Sequence, residues 1–172
     1  MALLNIRTAI VNDAGAIAAI QVDAWRAAYA TIIPQKHFDG LTVEKRSVVW
    51  RELITAKCGS EQVIIGEVDA QICAYAHYGR SRDPSAGQTT GELCSLYVAP
   101  NHWRRGFGQQ LLAASIRELA GAGFGRATLW VLAQNKPARQ FYGRFGWETD
   151  GAEKGNEERK EMRYRIDLSA HL

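Results

Sequence analysis

The order strand, polar loop, helix, strand between Glu92 and Leu132 constrains this chain more than any other feature. Glu92–Val98 is a strand-like run that Pro100 and Asn101 bring to an end. A helix follows from near Gly106 to about Ala120, with Leu111, Leu112, Ile116 and Leu119 on one face and Gly121 and Gly123 to stop it. Arg126–Leu132 is then rich in strand formers. A strand, a helix and a strand in succession form a crossover unit, so the second half of the chain is mixed α/β.

The remaining segments extend that pattern. Residues 3–11 read as an opening strand, Asn12 and Asp13 offer an N-cap, and Ile17, Ile20, Ala24, Trp25 and Ala28 recur at helical spacing. Thr31 to Gly40, with Pro34, reads as a loop, and a second helix is predicted from Val43 to Ala56 with Val48, Val49 and Leu53 inward. Gln62–Val68 and Gln71–Tyr78, joined by Asp69 and Ala70, predict a hairpin. Ser81 to Thr90 is a polar loop. A helix from Pro137 to Phe145, a polar loop from Gly151 to Glu157 and a last strand over Glu161–Leu168 complete the reading.

At 172 residues, 47% hydrophobic and 23% charged, the composition predicts one soluble globular domain spanning 1–172. No run of about 18 apolar residues is present, so no membrane partner is expected. The apolar stretch at the N-terminus is too short for a signal peptide. Cys58, Cys73 and Cys94 are odd in number and widely spaced, which predicts reduced thiols and a cytoplasmic location. His37, His77, His102 and His171 show no metal-ligand spacing among themselves or with the cysteines, and no metal is expected.

The net charge of +3 is too small to point to nucleic acid. It is unevenly placed, however. From Leu93 to Trp147 there are seven cations (Arg104, Arg105, Arg117, Arg126, Lys136, Arg139 and Arg144) and one anion, Glu118, while the remainder is net negative. The cation-rich third therefore predicts an anionic ligand. Within it, Arg104-Arg105-Gly106-Phe107-Gly108-Gln109 joins a strand to a helix. Unpaired amides at a helix start, the helix dipole and two arginines together make a cradle for phosphate. No Walker lysine follows the glycines, and Leu111 stands where a dinucleotide fingerprint needs its third glycine. Further on, Asn135 is a natural N-cap, Pro137 suits a first helical turn, and Ala138, Phe141, Tyr142 and Phe145 form one stripe.

Taken together, Val98-Ala99-Pro100 with Arg104-Arg105-Gly106-Phe107-Gly108, and Asn135, Ala138, Phe141-Tyr142 with Gly146-Trp147, resemble the two motifs of the GNAT superfamily of acetyl-CoA-dependent N-acetyltransferases. The pattern departs from the family at Trp103, where Gln or Arg is usual. The resemblance implies an α/β fold with a mixed, mostly antiparallel central sheet flanked by helices, in which two central parallel strands splay apart. It implies acetyl-CoA as donor, with the pyrophosphate on the backbone from Arg104 to Gln109. The pantetheine arm would pair with Leu96, Tyr97 and Val98, and Asn135, Ala138 and Tyr142 would line the donor site.

The same resemblance implies direct attack by an amine in a ternary complex. A backbone N–H at a strand bulge near Val98 would hold the oxyanion, and Tyr142 would protonate the departing thiolate. Glu92 is the candidate base, with Glu148 and Asp150 as weaker alternatives; an exposed strand-end glutamate is the competing reading of Glu92. Trp25 and Tyr29 are candidate acceptor contacts, as are Ile33 and His37, although Trp25 equally suits helix packing. A small-molecule amine is the expected acceptor. A protein N-terminus or lysine, and a non-catalytic acyl-CoA-binding module, stand as alternatives, and a homodimer is compatible with the family.

Overall fold

The computed structural model describes residues 3–56 and 61–169, so Cys58 and His171 lie outside the described residues. The strands are β1 (Asn5–Thr8), β2 (Gln62–Val68), β3 (Gln71–Arg80), β4 (Thr90–Val98), β5 (Arg126–Leu132), β6 (Glu148–Lys154) and β7 (Glu161–Asp167). The helices are α1 (Ala14–Tyr29), α2 (Val43–Ala56), α3 (Phe107–Gly121) and α4 (Lys136–Arg144). The strands form one sheet in the order β1-β2-β3-β4-β5-β7-β6. Every neighbouring pair is antiparallel except β4 and β5, the two strands joined through α3. Among the described residues no helix is long and apolar enough to cross a membrane.

Helices cover both faces of the sheet, and the strands are apolar on both sides accordingly. In β2, Val63 and Ile65 pack with Ile17, Ala18 and Trp50 of α1 and α2, while Ile64 packs in the opposite cluster with Leu111 and Leu112 of α3. The hairpin turn holds both Asp69 and Ala70 at positive φ, 51° and 61°, the backbone that a two-residue turn of matching twist requires.

Three local expectations are corrected. The opening strand stops at Thr8, short of residue 11, because Arg7 pairs with Asp13 at 2.7 Å and the Ile10 N–H donates to the same carboxylate at 2.8 Å. This folds the chain into a short helical turn ahead of α1. In α2 Leu53 packs inward as expected, but the buried residue is Trp50, 2% exposed, whereas Val48 and Val49 are 49% and 42% exposed. The Trp50 indole N–H donates to Gln21 Oε1 at 2.9 Å, and its ring meets Tyr75 edge-on at 5.0 Å. The polar stretch expected as a loop after Gly151 is largely β6, an edge strand that pairs only with β7 and breaks register between Thr149 and Glu153. An edge strand can be polar on both faces, so hydrophobic alternation does not reveal it.

Two irregularities in β4 shape the centre of the molecule. The parallel pairing with β5 covers Thr90–Arg126, Gly91–Ala127 and Glu92–Thr128 and then ends, although β4 continues to Val98 and β5 to Leu132. The two strands thus diverge from a vertex at Glu92. Near that vertex α3 lies close against the sheet. A Cβ on Gly91 would sit 2.7 Å from the Leu119 side chain and 3.1 Å from Phe124. The second irregularity is a bulge: His77 pairs with Ser95 and Tyr78 with Leu93, leaving Cys94 as the extra residue. The bulge therefore lies at Cys94 and not near Val98.

This packing yields a graded prediction. Trp50→Ala should cost about 3–5 kcal/mol in urea unfolding, while Val48→Ala should stay within roughly 0.5 kcal/mol of the parent. Equal losses for the two variants would contradict the observed orientation of α2.

Candidate active site

The gap between β4 and β5 is lined by main-chain groups whose direction follows from the ladder. Ala99 N–H donates to the Cys73 carbonyl at 2.8 Å, and the register pairs Val98 with Ala74 and Tyr97 with Tyr75. Bonding alternates along an antiparallel pair, so Tyr97 and Ala99 face β3 while the amides and carbonyls of Leu96 and Val98 face the gap. Of the three residues expected to meet a ligand's extended arm, Leu96 and Val98 offer their backbone. Tyr97 does not: its main chain is committed to β3, and its hydroxyl accepts a hydrogen bond from the Trp25 indole at 2.7 Å.

The mouth of the gap is the start of α3. Gln110 N–H to the Gly106 carbonyl is the first hydrogen bond of the helix, so the amides of Phe107, Gly108 and Gln109 have no acceptor within it. Gly106 adopts φ 81° and Arg104 φ 60°. The first suits glycine alone, and the second is uncommon for any residue with a side chain. Arg104 and Arg105 are exposed beside these amides. Gly108 lies between Val98 and Phe141, since a Cβ there would stand 3.8 Å from the Val98 side chain and 3.6 Å from the Phe141 ring. The cradle therefore adjoins both the gap and α4. Trp103 closes over its edge: the indole N–H donates to the Val98 carbonyl at 2.7 Å, with the residue 43% exposed.

On the other side of the gap, Asn135 caps α4 by accepting from the Ala138 N–H at 3.2 Å. Ala138, Phe141 and Tyr142 pack against the main core. Burial holds the Tyr142 phenol above its usual range, and Tyr29 nearby pushes the same way. Tyr142 thus stays protonated and can donate but not abstract a proton at neutral pH. The Tyr29 hydroxyl lies 3.5 Å from that of Tyr97, and Trp25 meets Tyr29 edge-on at 5.3 Å. Trp25, Tyr29 and Tyr97 therefore form one aromatic group to which α1 and β4 contribute, while the Tyr142 ring meets Phe141 and Trp147 edge-on.

Glu92 stands at the vertex, and it is not the exposed strand-end residue of the competing reading: it is 3% exposed. One carboxylate oxygen accepts from the Arg82 guanidinium at 2.6 Å and the other from the Arg82 N–H at 2.9 Å. Glu92 also forms part of the wall of a cleft of about 590 Å³, together with Arg82, Asp83, Trp130, Lys154 and Arg163. Lys154 sits 4.2 Å over the Trp130 ring. Arg163 donates to Asp150 at 2.8 Å and pairs with Asp83, which ties the 81–89 loop to β6 and β7. Trp25 and Tyr29 do not line this cleft. His37 is engaged with Glu158 at 3.3 Å, Ile33 is buried, Glu148 is exposed and Asp150 is held by Arg163.

Sequence reading did not identify Arg82 or Trp130 as site residues, nor the approach of Glu61, His77 and Cys94. The ligating atoms of these three lie within 4.8 Å of one another. Only strand register brings them together, and it leaves no linear spacing to find. Arg139 is removed from the pool of free cations, because it donates to the Ala133 carbonyl at 3.0 Å and to the Tyr164 hydroxyl at 3.2 Å.

The sequence profile of the Acetyltransferase (GNAT) family matches residues 22–147, which include both halves of this gap. The chain belongs to that family. An uncharacterized N-acetyltransferase of Bacillus subtilis (strain 168), YuaI, is 28% identical over 140 residues, covering 81% of this chain and 78% of that protein. An N-acetyltransferase from Staphylococcus aureus Mu50 superposes with a TM-score of 0.77 at 24% identity, covering 98% of this chain and all of the other. A PaiA N-acetyltransferase from Thermoplasma acidophilum, crystallised in complex with coenzyme A, superposes at 0.75 with 16% identity and covers 96% of this chain and all of its own. The GNAT assignment makes the chain an acyltransferase, and the splayed β4–β5 pair gives it the fold expected from that resemblance.

The aromatic group sets a pH limit on the site. Burial holds Tyr75, Tyr97 and Tyr142 above the usual phenol range, whereas in the unfolded chain they titrate near about 10. The folded state therefore keeps protons that the unfolded state loses, and the stability these groups supply is complete below about pH 10 and declines above it. Urea midpoints should hold through neutral pH and fall above about pH 10, with phenolate absorbance from these tyrosines appearing only together with unfolding.

Proposed function

We propose that the chain transfers an acetyl group from acetyl-CoA to a primary amine of a small molecule, by direct attack within a ternary complex. The single observation that carries this reading is the diverging β4–β5 pair. It leaves the main chain of Leu96 and Val98 facing a gap that opens at one end on the amides of α3, next to Phe141 of α4. The donor's pyrophosphate meets the amides of Phe107, Gly108 and Gln109, with Arg104 and Arg105 adding charge. Its pantetheine arm pairs with Leu96 and Val98 as a strand would. To do so it takes the Val98 carbonyl from the Trp103 indole.

The amine lone pair attacks the thioester carbonyl carbon. The resulting oxyanion is held by the gap-facing amide of Val98. The C–S bond then breaks, and the thiolate takes the Tyr142 phenolic proton. The proton lost by the amine goes to Glu92, directly or through a water. The Arg82 guanidinium holds one Glu92 oxygen and the Arg82 backbone N–H the other, and each oxygen keeps a further lone pair with which to accept a proton.

The small-molecule assignment is supported by the cleft beside Glu92. Its volume, about 590 Å³, falls within the ordinary range for small ligands, and the Arg163 link to Asp83 and Asp150 restrains the loop that borders it. Tyr29 and Trp25, which do not line this cleft, hold the Tyr97 hydroxyl. Asn135 and Ala138 fix the start of α4, and with it the position of the Tyr142 hydroxyl.

Three variants test the reading by thiol release over an amine and peptide panel, with donor affinity measured by calorimetry. Tyr142→Phe should lower kcat by about 10²–10⁴-fold with acetyl-CoA affinity unchanged; normal turnover would remove it as the acid. Glu92→Gln should abolish the acidic limb of the pH–rate profile, and a retained limb would exclude Glu92 as base. Trp103→Phe keeps the ring but frees the Val98 carbonyl, so acetyl-CoA should bind roughly two- to tenfold tighter. Acetylation of peptides alone would shift the acceptor from small molecule to protein.

A further inference from the structure

The antiparallel register of β2, β3 and β4 brings an imidazole, a thiol and a carboxylate to one point beside the vertex. Val63 pairs with His77, which places Glu61 two positions ahead of that pair. His77 pairs in turn with Ser95, and the bulge inserts Cys94 between Ser95 and Leu93. Without the extra residue the strand would alternate regularly, and Cys94 would not share a face with His77. As built, Glu61, His77 and Cys94 hold their donor atoms within 4.8 Å of one another.

A second observation concerns His77 alone. Its side chain is 8% exposed, and its Nε2 is buried without a hydrogen-bond partner. The nearest acceptor is Glu61 Oε1 at 3.7 Å, beyond hydrogen-bond range. A buried ring nitrogen is ordinarily satisfied, and one without a protein partner is open to a water or an ion. Cys94 Sγ makes only a long contact of 3.8 Å to the Glu92 carbonyl, so its thiol is not strongly committed elsewhere.

We propose that Glu61, His77 and Cys94 form a binding site for a zinc-class divalent cation. Nitrogen, sulfur and carboxylate oxygen are the zinc donor set, and bond lengths of about 2.0–2.3 Å put neighbouring tetrahedral ligand atoms roughly 3.3–3.6 Å apart. The Glu61–His77 separation of 3.7 Å is already close to that edge. The cation meets the His77 Nε2 lone pair and replaces the Cys94 thiol proton, which leaves to solvent, and a water completes the fourth position. With thiolate and carboxylate both bound, the divalent charge is neutralised. The ion joins the residue just ahead of β2 to β3 and β4 at the bulge, next to the strand segment that carries Glu92.

The test titrates the metal-free full-length protein with Zn²⁺ and, separately, Co²⁺. One equivalent should bind per chain, and the Co²⁺ form should show a thiolate-to-metal charge-transfer band in the near ultraviolet. Cys94→Ser should remove that band and weaken Zn²⁺ binding by about a hundredfold or more. Glu61→Gln, at a half-exposed position where folding is not at stake, should weaken binding as well, while His37→Gln should leave it unchanged. At a hundredfold excess over Kd the melting temperature should rise by about 5–10 °C. Absence of a thiolate band, or equal Zn²⁺ affinity in the parent and Cys94→Ser, overturns the proposal.

Discussion

Everything in this molecule depends on a sheet that declines to finish pairing. β4 and β5 form three parallel pairs and then part at Glu92 and Thr128. A buried peptide group left without a partner costs about 1–3 kcal/mol, so the strands would zip together if their outer partners allowed it. They do not. β4 is held to β3 along its length, β5 is held to β7 from Arg126 to Leu132, and α3 is wedged against Gly91 at the vertex. The gap-facing main chain of Leu96 and Val98, of which the Val98 carbonyl is met only by the Trp103 indole, is thus imposed by the rest of the sheet.

The electrostatics follow the same division. The sequence's cation-rich third surrounds the gap, but its charges do different work. Arg104 and Arg105 stay exposed at the amides of α3, while Arg139 is spent on a carbonyl and a phenol inside the fold. Around the vertex, positive charge is matched: Arg82 faces Glu92, and Arg163 faces Asp83 and Asp150. One region thus leaves its cations exposed, and the other keeps a carboxylate buried and oriented beside a cleft.

The elements that were legible in the sequence are those whose signal is local. α2 and β5 fall where periodicity and β-propensity predict them, and Asn135 caps α4 as its position before Pro137 suggests. The strand-to-helix turn with its exposed arginines and free amides was legible because its glycines and arginines are contiguous. What escaped is non-local. β6 has the composition of a loop and becomes a strand only because β7 offers an edge. Trp50 rather than Val48 or Val49 turns inward because Gln21 and Tyr75, far away in sequence, supply its partners. The bulge at Cys94 is a matter of register, and with it goes the meeting of Glu61, His77 and Cys94. Arg82 and Trp130 likewise reach the site only through the arrangement of their strands.

The indole of Trp103 on the Val98 carbonyl has a meaning apart from any ligand. A diverging pair of strands has an edge in the middle of the sheet, and an open edge is a template for another chain's strand. The bulky ring lies across one end of this edge and occupies an acceptor there. A flexible ligand arm can displace it locally, whereas an incoming strand must also fit beneath the ring while aligning along the whole edge. The ring thus covers part of this interior edge at the point where the fold is most open.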